Sequence, residues 1–447
     1  MVDNKKYTIF ETFVGAGGSH LGFKNKGFVA KYVNDIDANF LKTLLYNNKE
    51  LKKIYVDNRD ILIVDPKEIL EKVKMEVGEL DVLLGGIVCK GFSMAGEKSP
   101  NDTRNFFFLK QLELVKVIQP KISIIENVPA ILGAEIISDK TPQEIRERVD
   151  KVWQDLEDFK GKKAKLRKED KITIELTREG KSLRKEKNKL LELLKKNNYL
   201  ESIFDLIKER YQALGYKVYH QILNSAWYGS ATKRDRVVIV AIRNDIDLEF
   251  EFPQPTHLSD EIRKPLNFIE NYPYQKPITI FEVLKTIDYK AKDKDNKPMG
   301  HTEKTIERFS YVRPGTNITD YLDKMPKELA ISKFYSRGNT MRLDGNKCSP
   351  TLVPGHSNFP IHPIEHRQIT VREAAVITGF PLNYRFFGNH TKRCEQVGNA
   401  IPIRLAEALA RSCADFLERY YENKENCKYL GLMDSSKKHS RLRSCFN

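Results

Sequence analysis

The chain has no C-x-x-C pair: its six cysteines, Cys89, Cys348, Cys394, Cys413, Cys427 and Cys445, are scattered through 447 residues. That scatter argues against a cysteine-built zinc site or a disulfide framework and fits a reducing compartment. No metal site is expected. Long apolar runs are missing as well, so no segment is expected to span a membrane, and Met1 to Tyr7 lacks the core of a secretory leader. The full G-x-G-x-x-G dinucleotide spacing is absent too. With 40% hydrophobic residues the composition is globular, and the length suits two domains. A soluble, cytoplasmic protein is the expectation. Positive charge is abundant: the net +15 makes a polyanion, nucleic acid first, a candidate partner, although charge alone does not select one.

The chain is organised around Asp81 to Ser93. Val82 to Leu84 read as a short buried strand, and Gly85 and Gly86 free the backbone where it ends. Cys89 then sits in the turn, where open α/β sheets place reacting groups. A small buried hydrophobe is the commoner fate of such a cysteine.

Its company changes the weight. Tyr7 to Phe13 reads as a strand running into Val14-Gly15-Ala16-Gly17-Gly18, a glycine-rich turn before a helix, suited to a nucleotide-like ligand. The next strand, Val29 to Asn34, ends in Asp35-Ile36-Asp37, where a carboxylate can grip a ribose; an ordinary helix N-cap is the bland alternative for Asp37. Arg59-Asp60-Ile61 follows a third apolar stretch. Beyond Cys89, a polar loop from Gly96 to Arg104 precedes a helix from about Asn105 to Ile118. The strand Lys121 to Ile125 then delivers Glu126, a candidate general acid or a plain solvated turn residue. Arg234 and Arg236 stand two apart on an extended segment entering the strand Val237 to Ile242. They are expensive to bury unless they meet anions or acceptors, among them a nearby carboxylate.

Between these blocks, Thr141 to about Asn198 reads as an inserted helical hairpin, with Thr141 as N-cap and Glu144 closing a capping box. Its basic middle, Lys160 to Lys168, is either a solvated face or a DNA-backbone contact. A helix from Tyr199 to Leu214 is expected next. Asp245 to Pro360 loses periodicity and looks like a second domain of loops and short strands. Thr370 and Glu373 mark a capped helix, Gln396 to Pro402 reads as the opening of a long helix to about Tyr421, and the tail from 426 is basic.

Taken together, Phe13 to Gly18, the Cys89 loop, Glu126-Asn127-Val128, Arg234-x-Arg236, Arg367 to Glu373 and Gln396-x-Gly398-Asn399 occur in the order of the cytosine carbon-5 DNA methyltransferases, bacterial restriction-modification type, which the chain resembles over nearly its whole length. The resemblance implies an S-adenosylmethionine-dependent α/β fold, Rossmann-like, with a mostly parallel sheet in residues 1–244 and 361–425. Residues 245–360 would be a smaller, irregular target recognition domain across a DNA cleft. It makes Cys89 the nucleophile, with Glu126, Arg236 and Arg234 completing the catalytic set. Phe13, Gly15, Gly17, Asp35, Ile36, Asp60, Ile61 and Asn399 would hold the cofactor, Ile36 standing where many relatives have tryptophan. Thr351 and Arg104 would touch DNA.

The expected partner is double-stranded DNA, bound by a nucleoid-associated monomer; a cognate restriction endonuclease is a partner such enzymes can have. Departures from the family pattern cluster near the nucleophile. Val88 replaces the usual proline, Lys90 a common glutamine, and Ser230-Ala231-Thr232 the usual Val-Pro-Gln. An RNA cytosine methyltransferase and a DNA-binding relative with weak turnover are the rival readings.

Overall fold

The computed structural model describes residues 6–86, 99–100, 107–168, 173–331, 338–353 and 359–429. Cys89, Val88, Lys90 and Arg104 lie outside the described residues. Strands β1 (Tyr7–Thr12), β2 (Phe28–Asn34), β3 (Tyr55–Asp57), β4 (Val82–Gly85), β5 (Ile122–Asn127), β8 (Tyr216–Asn224) and β10 (Asp235–Arg243) form one sheet in the order β3-β2-β1-β4-β5-β10-β8. The five strands from β3 to β5 pair in parallel, and β10 is antiparallel to both neighbours. The fold is α/β with a mostly parallel seven-stranded sheet, as the sequence indicated.

Period-two alternation sorts the strand residues onto two buried faces. Ile9, Val33, Leu84, Ile124 and Val238 pack with Leu405, Leu409 and Phe416 of α12 (Ile403–Tyr429). Phe10, Tyr32, Leu83, Ile125 and Val237 pack on the other face with α3 (Pro66–Val73), α4 (Phe107–Ile118) and α7 (Ile203–Ala213). Helix α1 (Gly18–Lys24) lies directly on α12: a Cβ at Gly22 would stand 2.4 Å from the Ala406 Cβ, so only glycine permits this approach. The C-terminal helix thus completes the N-terminal sheet domain.

The hairpin is present as α5 (Gln143–Lys168) and α6 (Ile174–Lys196). Val149, Val152, Trp153 and Leu156 meet Leu190 and Leu194 between them, and β6 (Glu135–Ile137) pairs antiparallel with β7 (Leu200–Ser202) at its root. Two expectations are corrected here. The Thr141 hydroxyl donates to Tyr199 O at 3.4 Å instead of capping α5. The expected helix from Tyr199 starts at Ile203, because Leu200 to Ser202 are drawn into the ladder with β6 and Ser202 caps the helix instead.

Residues 245–360 contain only short regular elements among those described: α8 (Ile280–Leu284), α9 (Glu303–Ser310), three short 3-10 turns, and β11 (Ser349–Pro350), which pairs with β9 (Thr232–Lys233). Then come α10 (Val371–Thr378), with Thr370 and Glu373 forming the expected capping box, and α11 (His390–Asn399). The Gln396 to Pro402 block closes α11 rather than opening the long helix. Pro402 disfavours helix at the residue before it, so the chain breaks and α12 starts afresh at Ile403.

Candidate active site

The site is assembled where the strand order reverses. β1 leads outward to β2 and β3, whereas its other neighbour, β4, leads to β5, and Thr12 is paired with Gly85 across that switch point. Two loops leave side by side. Gly86 N donates to Thr12 O at 3.3 Å, three residues before Cys89. On the β1 side Phe13 takes φ +54° and sets its ring edge-on to Phe107 at 5.5 Å.

The first loop is cradled by the second strand end. Gly15 N donates to Asp35 Oδ2 at 2.8 Å and Asp37 N donates to Asp35 Oδ1 at 2.9 Å. Burial pushes the Asp35 carboxyl above its usual range, against the pull of these two donors. Asp37 caps α2 (Ala38–Asn47) through Asn39 N and pairs with Lys392 at 2.9 Å, so the N-cap alternative holds for it. Ile36 is 66% exposed at the tip, and Asn58 donates to the carbonyls of both Asp35 and Ile36 at 2.9 and 3.0 Å. Asn58 was not singled out in the sequence, although an asparagine beside the Asp60 turn was its only signal. Asp60 Oδ1 accepts from Leu62 N at 3.0 Å, opening a short helical turn that buries Ile61.

These residues fit an adenosine-type cofactor. A Cβ built at Gly15 meets nothing within 4 Å, so there is open space in front of the loop, whereas one at Gly17 (φ +94°) would strike Leu44 and the Tyr384 hydroxyl. Gly15 therefore faces space a ligand can use, whereas at Gly17 the side a Cβ would occupy is already filled by Leu44 and Tyr384.

The register of β5 and β10 explains the second half of the site. Val238 lies opposite Glu126, and Arg236, two residues earlier, shares that face. The two side chains meet as an ion pair, Arg236 Nε to Glu126 Oε1 at 2.6 Å, off-axis for a hydrogen bond. Both residues are buried, 8% and 9% exposed, so the carboxylate the arginines were expected to need is Glu126 itself. Glu126 also lines a small recess with Ser19, Phe23, Leu84 and Ile401.

Arg234 does something different. Its guanidinium donates to Gly398 O at 2.6 Å and Asn399 O at 3.3 Å, tying the end of α11 to the start of β10. Thr351 reaches the same corner: its hydroxyl donates to Lys233 O at 3.0 Å, beside the β9–β11 pair. Thr232 in turn donates to Pro350 O at 3.2 Å. The Arg367 block forms a buried fork, Arg367 to both Glu373 oxygens at 2.7 and 2.8 Å. Burial would raise the Glu373 carboxyl, but Arg367 holds it below the usual range.

Glycine and acid stand at successive strand ends of a mostly parallel α/β sheet, with a buried carboxylate–guanidinium pair alongside. The chain belongs to the C-5 cytosine-specific DNA methylases: the family model matches residues 7–158 and 191–415. It is a DNA (cytosine-5-)-methyltransferase. It is 26% identical over 430 residues to the Type II methyltransferase M.Eco47II of Escherichia coli, covering 94% of this chain and 81% of that protein. To M.Sau96I of Staphylococcus aureus it is 28% identical over 425 residues, 93% and 78% of the two chains. Among solved structures, an E. coli prophage protein described as a DNA modification methyltransferase superposes with TM-score 0.59 at 19% identity, over 92% of this chain and 100% of that one. The Spodoptera frugiperda DNMT2 mutant structure gives 0.52 at 14%, with 92% and 100% covered. No described helix is long and apolar enough to cross a membrane.

Proposed function

We propose that the protein uses S-adenosylmethionine to methylate carbon 5 of a cytosine flipped out of a specific duplex DNA sequence, through a covalent adduct at Cys89. The observation that carries this is the Glu126–Arg236 pair, buried one strand away from the β4 turn that leads to Cys89. Carbon 5 of cytosine is a poor nucleophile. Addition of the Cys89 thiolate to carbon 6 converts carbon 5 into an enamine carbon able to take a methyl group. Glu126 gives a proton to ring nitrogen 3 as the thiolate adds and takes it back when the thiolate leaves, and Arg236 binds the base oxygen while keeping Glu126 in place. Loss of the carbon-5 proton to a base then allows the thiolate to leave.

Bound S-adenosylmethionine supplies an electrophilic methyl on sulfur. Asp35 takes the ribose hydroxyls, Ile36 covers the adenine, Asp60 and Ile61 meet its edge, Phe13, Gly15 and Gly17 border the methionine part, and Asn399 closes the pocket. Arg234 keeps Asn399 in position. Thr351 and Arg104 contact the DNA backbone around the extruded nucleotide, whose flipping exposes ring carbons that a duplex hides. A monomer serves this chemistry, and an endonuclease reading the same sequence belongs to this reading. The test is a duplex carrying 5-fluorocytosine at the target. Fluorine cannot leave as a cation, so wild-type protein should be trapped in a covalent complex and Cys89→Ser should form none. An adduct that survives the substitution removes Cys89 from the mechanism.

A further inference from the structure

The two stretches matched by the family model leave out residues 159–190, the distal part of the α5–α6 hairpin. Those 32 residues carry 13 Lys and Arg against 5 Asp and Glu, a net +8 of the chain's +15. The charges on α6 are segregated by face. Leu176, Leu190 and Leu194 turn inward, and Arg178, Lys181, Lys185 and Lys189 are all exposed. Their spacing of three, four and four residues puts these four cations in one row on the side away from the leucines, over a length of ~16 Å.

The hairpin's acids lie on the flank and are used there. Glu179 pairs with Lys162 at 2.8 Å, Glu186 with Arg148 at 3.8 Å and Glu157 with Lys160 at 3.8 Å. Among the described residues none of the four row cations has an acidic partner. A face evolved only for solvent gains from alternating signs, because like charges at i,i+4 destabilise a helix. This face does the reverse. The hairpin is also rooted on the site's side of the sheet: β6 begins nine residues after Glu126, and Ile137 N donates to Pro100 O, beyond the Cys89 loop.

We propose that the Arg178–Lys181–Lys185–Lys189 row binds the phosphate backbone of duplex DNA outside the methylated site, adding affinity without sequence information. This rests on the function proposed above. It adds α6 to the contact expected at Lys160 to Lys168, a stretch in which Lys160 and Lys162 are paired with acids.

The probe is a 40-base-pair random-sequence duplex, a length of roughly four helical turns, titrated by fluorescence anisotropy across a salt series. The variant R178Q/K181Q/K185Q/K189Q keeps good helix formers at exposed positions. It should bind with a log K against log salt slope shallower by about 3 to 4. Bisulfite mapping of plasmid DNA should show the same methylated sequence for both proteins, and Arg178→Lys alone should keep the wild-type slope. An unchanged slope in the fourfold variant overturns the proposal and leaves the row to solvent or to an acidic protein partner. If wild-type protein methylates no plasmid DNA, the functional reading itself falls, and the row's role falls with it.

Discussion

The sheet domain and the region around residues 299–368 hold themselves together by opposite means. In the sheet, repeated backbone ladders and period-two side chains spread the stability over many equivalent positions. In the other region isolated bridges and one small apolar cluster replace the ladder, and a single side chain ties them together. Arg342, 2% exposed, donates to the carbonyls of Val312, His362, Glu365 and Phe309 at 2.6–2.8 Å, with His366 Nδ1 at 2.9 Å. Burial lowers its pKa from the usual arginine value, but the four carbonyl acceptors suit a cation. Irregular backbone has to satisfy its carbonyls somehow, and an arginine's five donors can gather several strands of chain at once. A region built this way tolerates change at its surface and very little at the staple.

The largest effect expected from breaking that contrast is at Arg342. Arg342→Ala leaves several buried carbonyls without donors, at about 1–3 kcal/mol each and not additively, so a local loss of about 4 kcal/mol or more is expected. Hydrogen exchange should show residues 300–331 and 359–368 deprotected while β1, β4 and β5 stay protected, and S-adenosylmethionine affinity should persist. Uniform deprotection of both regions would mean that they unfold as one unit and that the contrast is only one of appearance.

Within the sheet domain one buried polar pair behaves like a staple of its own. His20 Nδ1 lies 2.7 Å from Glu11 Oε2, with both side chains almost fully buried. Burial alone would push the His20 pKa down, but the Glu11 carboxylate outweighs it and raises it to about 9. A folded pKa above the unfolded value contributes stability that is full below about pH 6.5 and is lost as pH rises through about 9. The shift corresponds to about 3 kcal/mol. Urea midpoints taken from pH 6 to pH 10 should fall more steeply for wild type than for His20→Asn, and parallel curves would remove the pair's role.

How far the sequence could be read follows from the same contrast. The strands and their acidic ends were legible because period-two apolar runs and the turn residues after them are local signals. The Thr370–Glu373 capping box was legible for the same reason. Thr141 and Tyr199 misled because their partners lie across the β6–β7 ladder, and a local capping signature cannot reveal a pairing between residues some sixty positions apart. The Gln396 to Pro402 block was identified as a block but set in the wrong element, since α11 has few apolar residues to betray its period. Arg234 and Arg236 show the middle case. Their shared cost of burial was readable, but it took the register with β5 to give Arg236 to Glu126 and the end of α11 to claim Arg234. Arg342 was invisible, because nothing local marks an arginine that will collect four distant carbonyls.

A smaller effect is expected at the end of β2, in the proposed cofactor site. Asp35 braces the Gly15 turn, and if it also takes the cofactor ribose as proposed, Asp35→Ala should weaken S-adenosylmethionine by about 1–3 kcal/mol in calorimetry. The fold should survive, because the neighbouring strand end remains held by Asn34, whose side-chain amide donates to Asp57 O and Arg59 O. Unchanged affinity would leave Asp35 as a brace alone.

The smallest change sharpens the same point, because it alters a surface the sheet only presents. Ile36 is 66% exposed, and its backbone is held from behind by Asn58, which takes the carbonyls of Asp35 and Ile36. Its side chain can therefore be exchanged without moving the turn. If Ile36 covers the adenine, Ile36→Trp replaces a small aliphatic cover with a broad ring that can stack on it, and stacked aromatic pairs gain about 0.5–1.5 kcal/mol beyond their area. The adenine-specific gain should tighten S-adenosylmethionine by roughly threefold to tenfold, with methylation at saturating cofactor unchanged. A contrast between S-adenosylmethionine and free methionine in calorimetry isolates the ring, since methionine carries no adenine to stack. Equal tightening of both, or weaker binding of S-adenosylmethionine alone, would place the adenine away from Ile36 and leave that tip of the sheet without a cofactor role.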